Sequence, residues 1–130
     1  MKKLTPVVYV EEIEPVLPFW IDRLGFEITA EVPEGERMGF VILQKGDVEV
    51  MYQSRESVRK DLPQLADSPM SGTFLFIQVR DLDSIERALE GVEQVVPRRT
   101  TFYGADEIIV REPAGNVVTF AAFGDETPSG

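Results

Sequence analysis

The sequence predicts an α+β domain built from a duplicated βαβββ unit. Three observations predict it. Apolar and polar residues alternate over short runs, the pattern of strands with one buried face. Each half holds one stretch of helical spacing, and both stretches stop at a glycine. The element order of the first half also recurs in the second. Val8-Tyr9-Val10-Glu11-Glu12-Ile13 matches Ile77-Gln78-Val79-Arg80-Asp81-Leu82. Gly25-Phe26-Glu27 matches Gly91-Val92-Glu93, and Lys45-Gly46-Asp47-Val48 matches Ala114-Gly115-Asn116-Val117.

Residues 5–10 are apolar and β-branched and read as the first strand. Ile13, Val16, Leu17, Trp20, Ile21 and Leu24 mark one face of a helix over residues 11–24, with Gly25 as its C-cap. Pro15 suits a first turn, whereas Pro18 is uncomfortable inside a helix, so the start is expected near Glu14. Residues 26–32, 38–44 and 48–53 read as strands, joined by turns at 33–36 and 45–47. Val48, Val50 and Tyr52 alternate with Glu49, Met51 and Gln53, as in a sheet packed on one side.

Residues 54–71 differ in composition, with four serines and two prolines. They read as a connection with a short helix over 56–62. The pattern then returns: a strand over 73–79, a helix marked by Leu82, Ile85, Ala88 and Leu89, and a strand over 93–96. A loop over 98–106 follows, then a strand over 107–111, a turn at 113–116 and a last strand over 117–123. The chain thus divides into module one (about 4–53), the connection (54–71), module two (about 72–123) and a polar tail (124–130), all in one domain.

The composition excludes several chemistries. The 130 residues contain neither histidine nor cysteine. No Ser-His-Asp triad, Cys-His pair, zinc site of His or Cys, or two-His-one-carboxylate iron site is possible within the chain. A metal would need carboxylates and other oxygen donors, and a general acid or base would be a carboxylate, tyrosine or lysine. The 13 Lys+Arg against 23 Asp+Glu give a net charge of −10. That balance argues against nucleic acid, which demands a basic footprint. It suits solubility, and is compatible with a cationic ligand. No apolar run reaches a membrane span, and the N-terminal run, interrupted by Pro6, is too short for a secretion leader. A cytoplasmic protein without membrane attachment is expected.

Two motifs carry a resemblance. Phe19-Trp20-Ile21-Asp22-Arg23-Leu24-Gly25-Phe26 is similar to the "FYxDxLGF" of the vicinal oxygen chelate superfamily, also called the glyoxalase/bleomycin resistance/dioxygenase superfamily. Tyr103-Gly104, with Val110-Arg111-Glu112-Pro113-Ala114-Gly115-Asn116, resembles its "YG…DPDGN". The resemblance spans about residues 4–123. It implies that each module forms an open curved sheet, that the modules enclose a cavity on their concave faces, and that the protein is a homodimer.

The resemblance also implies where a metal would sit. The family's ligand positions map to Thr5, Phe74 and Thr119, with the fourth at Met51, or at Glu49 if the register slips by two. These residues do not make a metal site, so no cofactor and no catalytic metal are expected. The resemblance then points to the metal-free branch, typified by bleomycin-resistance proteins that sequester a bulky cationic drug.

Strand alternation gives the expected cavity lining: Tyr9, Glu49, Met51, Phe74, Phe76, Gln78, Ile109 and Thr119, with Phe102 and Tyr103 at a rim. Val7, Glu107 and Arg111 fall on the same faces. Trp20 reads as core, 112–116 as a structural turn, and Arg98-Arg99 as solvated loop. The leading expectation is a metal-free protein binding an apolar or cationic aromatic small molecule. A second is a lyase- or isomerase-type enzyme. It would use Glu49 or Tyr9 as acid/base, or a weak metal on Glu49 and Glu107. Glu49 itself reads either as a ligand-orienting carboxylate, with its pKa raised if the site is dry, or as a solvated strand residue. A third is a structural or regulatory dimer in which Phe74, Phe76 and Met51 plug the cavity.

Overall fold

The computed structural model describes residues 1–124. They form eight strands: β1 (Val7–Val10), β2 (Glu27–Glu34), β3 (Arg37–Lys45), β4 (Val48–Ser54), β5 (Phe74–Gln78), β6 (Gln94–Thr100), β7 (Ala105–Arg111) and β8 (Val117–Phe123). Two α-helices, α1 (Arg55–Asp61) and α2 (Leu82–Ala88), join them. The strands make two four-stranded sheets of equal topology, ordered β1-β4-β3-β2 and β5-β8-β7-β6. In each, the first strand runs parallel to the last and the remaining pairs are antiparallel. The duplication expected from the sequence is present. The expected tail beyond Gly124 lies outside the described residues.

The helical segment of module one departs from expectation. Instead of one α-helix over 11–24 there is a 3-10 turn, Glu14–Val16, followed by a π-helical turn, Pro18–Arg23. Pro18 is the cause: it has no N–H to give to an α-helical ladder, and its ring obstructs the preceding turn. Each proline therefore stands at the start of its own short helix. Gly25, at φ +78°, ends the segment as expected. Its N–H reaches Ile21 O at 3.0 Å, and the Phe26 N–H reaches Trp20 O at 2.9 Å.

Two turns also differ. β2 continues to Glu34, so the turn at 33–36 shrinks to Gly35-Glu36. β6 runs to Thr100, through residues expected to be loop. It is the outer strand of its sheet, and charged side chains on an exposed edge leave no apolar alternation to read. Arg99 stands opposite Glu107 in the β6–β7 ladder.

Both sheets bury one face in a common core. Val8, Val10, Val41, Leu43, Val50 and Tyr52 come from the first sheet, and Ile108, Val110, Val118 and Phe120 from the second. Phe19 and Trp20 of the helical segment join the same cluster. Trp20 makes edge-on contacts with Phe19, Phe26 and Tyr52, a geometry that aromatic quadrupoles favour.

A buried polar thread crosses this core from one module to the other. The Trp20 indole N–H donates to the Tyr52 hydroxyl at 2.9 Å, and that hydroxyl donates to Glu112 Oε2 at 2.6 Å. Glu112 Oε1 accepts the N–H groups of Ala114 and Asn116 at 2.6 and 2.9 Å. The Glu112–Asn116 turn is thus structural, as the sequence suggests, but its carboxylate also binds module one. A second link runs outside the core, where Arg23 donates to the carbonyls of Ala88 and Glu90 at the end of α2.

Candidate functional site

The faces that do not enter the core carry the predicted site residues. In the first sheet, β1 lies beside β4 with Val7 opposite Met51 and Tyr9 opposite Gln53. In the second, Phe74 stands opposite Val117, Phe76 opposite Thr119 and Gln78 opposite Ala121, while Ile109 of β7 stands opposite Thr119. Phe76, Thr119 and Ile109 therefore form one row across three strands. The repeat aligns Val7 with Phe76, so the ladders place Met51, rather than Glu49, at the counterpart of Thr119.

These faces are open in the single chain. Phe74 is 79% exposed and Phe76 55%, whereas Tyr9, Met51, Ile109 and Thr119 are half-buried. Within the single chain Phe74 and Phe76 pack into no core, because the sheets meet through their other faces. Phe102 is fully exposed at the β6–β7 turn. Its ring meets that of Tyr103 edge-on at 5.0 Å, and Tyr103 lies 6.0 Å from the Phe123 ring. Phe102, Tyr103 and Phe123 therefore make a run of ring contacts at one end of β8.

Glu49 is not a dry carboxylate with a raised pKa. Lys3 pairs with its carboxylate at 2.9 Å, and the Thr5 hydroxyl donates to it at 2.8 Å. These bonds, with the Lys3 charge, hold its carboxyl below the usual carboxylate value. Its ionised form is favoured, which leaves it a poor proton donor near neutral pH.

The more deeply set carboxylate is Glu107, 2% exposed. Arg99 approaches one oxygen through Nε at 2.9 Å and a terminal nitrogen at 2.8 Å, and the Tyr103 hydroxyl donates to the other at 2.9 Å. That bond to Glu107, together with burial, raises the Tyr103 pKa. Arg98 and Arg99 are therefore ion-paired strand residues rather than solvated loop, since Arg98 also bridges Asp83 and Glu86. Arg111, expected on the inner face, is exposed and pairs with Glu93. The sequence offers Glu107 as a weak metal ligand with Glu49, but a loop assignment for Arg99 does not bring it together with Glu107. The signal was available in the cross-strand spacing of Arg99 and Glu107.

The donor set does not fit a metal. Thr5, Met51, Phe74 and Thr119 offer two hydroxyls, a thioether and a phenyl ring. Hard cations need several carboxylate or carbonyl oxygens, and softer ones need imidazole or thiolate. Glu49 and Glu107 stand on different sheets, each already held by a cation. Among the described residues, no group of three or more acidic side chains is placed to hold an ion, and no helix is long and apolar enough to cross a membrane.

Comparison with known proteins fits this architecture. The fold is similar to lactoylglutathione lyase from Agrobacterium tumefaciens, with a TM-score of 0.74 and 14% identity over 94% of each chain. It is similar to TioX from Micromonospora sp. ML1, with a TM-score of 0.74 and 16% identity over 95% of this chain and 99% of that one. It is also similar to a bleomycin-binding protein from bleomycin-producing Streptomyces verticillus, solved with copper(II)-bleomycin. There the TM-score is 0.64 and the identity 26%, over 94% of this chain and 96% of that one. A search of curated proteins finds no match. The model of one family matches residues 4–120, nearly the whole of both modules, and on that match the chain belongs to the Glyoxalase/Bleomycin resistance protein/Dioxygenase superfamily.

Proposed function

We propose that this chain is a small-molecule binding protein that works without a metal, as a homodimer, and takes an apolar or cationic aromatic ligand on its open sheet faces. The observation that carries the reading is the exposure of Phe74 and Phe76. They stand on a strand face where metal chemistry would need donors. Covering a phenylalanine side chain is worth about 1.5–3 kcal/mol, so stacking a ligand against both is a substantial driving force. Phe102 and Tyr103 add aromatic surface at the rim, and the net charge of −10 favours approach of a cation. The bleomycin-binding relative supplies the first compound to try.

The test is a titration of the purified chain with bleomycin and a panel of aromatic cations. It is read by thermal shift and calorimetry, with native mass spectrometry for the oligomeric state. A stabilising ligand, weakened at least tenfold by Phe74→Ala or Phe76→Ala in a dimeric protein, is the expected result. A panel that produces no shift, or binding unaffected by both substitutions, rejects the assignment.

A further inference from the structure

On the other side of β5 lies a second concavity. It is a groove of about 530 Å³ at the junction of the two modules, within the size range of small-ligand sites, which favour such junctions. Leu24, Phe26 and Val48 line it from module one, and Ile77, Ile85 and Phe120 from module two. Side chains alternate along β5, so Ile77 belongs to this groove while Phe74 and Phe76 belong to the opposite face.

The charged lining is mostly cationic, which is unexpected in a chain of net charge −10. Lys45 and Arg80 both border the groove. The Lys45 ammonium donates to Leu24 O at 2.7 Å, and an ammonium has three protons to give. Arg80 has no ion pair among the described residues, whereas Arg37, Arg55, Arg59, Arg98, Arg99 and Arg111 each hold a carboxylate. Asp81 also borders the groove, but one of its carboxylate oxygens accepts the Ser84 N–H at 3.2 Å as the N-cap of α2.

We propose that this groove binds a small apolar acid, an aromatic or medium-chain carboxylate or sulfonate. The hydrocarbon lies along the apolar wall, and the anionic head is met by Lys45 and Arg80. Gln78, at the end of β5, borders the groove as well, but Phe74 and Phe76 do not, and the site stands or falls independently of what they bind.

Anilinonaphthalene sulfonate is the probe, with decanoate as competitor and decanol as the uncharged control. Expected are a rise in probe fluorescence with the full chain and displacement by decanoate but not by decanol. Arg80→Glu should weaken binding at least tenfold. So should Ser84→Trp, which places a bulky ring at an exposed position on the groove wall. Arg59→Glu, the same charge change at an exposed position that does not border the groove, should leave binding unchanged. Circular dichroism checks each fold, and if Ser84→Trp does not fold, the exposed Arg80→Glu carries the test. Absence of probe binding, equal competition by decanol, or binding that survives Arg80→Glu overturns the proposal. So does binding lost in Arg59→Glu, which makes the loss one of net charge, or in Phe74→Ala, which puts the probe on the opposite face.

Discussion

Substituting Tyr52→Phe removes one oxygen from the centre of the molecule and nothing else. That oxygen accepts from Trp20 and donates to Glu112, and all three side chains are buried. The ring stays, so packing is preserved. Two losses follow: the indole N–H is left without an acceptor, and the carboxylate loses a charge-assisted bond. An unsatisfied buried group costs about 1–3 kcal/mol and a bond to a charged group is worth about 1.5–3 kcal/mol, so a loss of about 2.5–6 kcal/mol is expected. For a chain of this size that corresponds to a fall in Tm of about 8–24 °C.

Urea unfolding at fixed protein concentration measures it. The single tryptophan is Trp20, so its fluorescence reports from within the thread. Glu112→Gln gives the second arm of a double-mutant cycle. A coupling of about 1–2 kcal/mol is expected, because both substitutions disrupt one bond. A Tyr52→Phe protein within about 0.5 kcal/mol of the parent, the range of an indifferent substitution, would refute the reasoning.

Burial, then the Glu112 charge and hydrogen bond, push the Tyr52 phenol well above its ordinary value of 10.0. The folded state therefore holds this proton after the unfolded state has released it. Stability is full below about pH 10 and falls as pH rises beyond it, and Tyr52→Phe should flatten that alkaline decline in urea midpoints. Glu49 shifts the other way. Its contribution is present above its ordinary value of 4.5 and is lost as pH falls through the lowered one. Lys3→Ala should move the NMR titration midpoint of Glu49 upward, and an unmoved midpoint would show that Lys3 does not hold it. Gly39→Ala should cost about 1–3 kcal/mol by overpacking, since its Cβ would meet Glu34 Cβ at 2.9 Å and Ser57 Cβ at 3.2 Å; an unchanged urea midpoint would count against that packing.

Strands with one buried face were legible because the signal is local. Val48 to Gln53 alternates as expected, and Val50 and Tyr52 are buried. The same alternation assigned Phe74, Phe76 and Thr119 to one face, which the ladders share. Four features were not legible. Pro18 marks a break in the sequence, but nothing local announces that the two pieces form 3-10 and π turns. β6 was cut short because an edge strand stabilised by Arg99–Glu107 pairing carries no apolar rhythm. The bond from Tyr52 to Glu112 spans 60 residues, and nothing in either neighbourhood announces it. The groove beside Arg80 depends on how two modules dock, which no local pattern encodes.

The reach of Arg23 onto the Ala88 and Glu90 carbonyls, at and just past the end of α2, bears on how the molecule comes apart. Half of the chain finishes a helix that belongs to the other half. The second copy of the repeat therefore does not hold all of its own helix termination. The two halves should therefore melt in a single cooperative transition. Severed within the 54–71 connection, the fragments should remain largely unstructured alone and recover the native fold on mixing, as a split protein does.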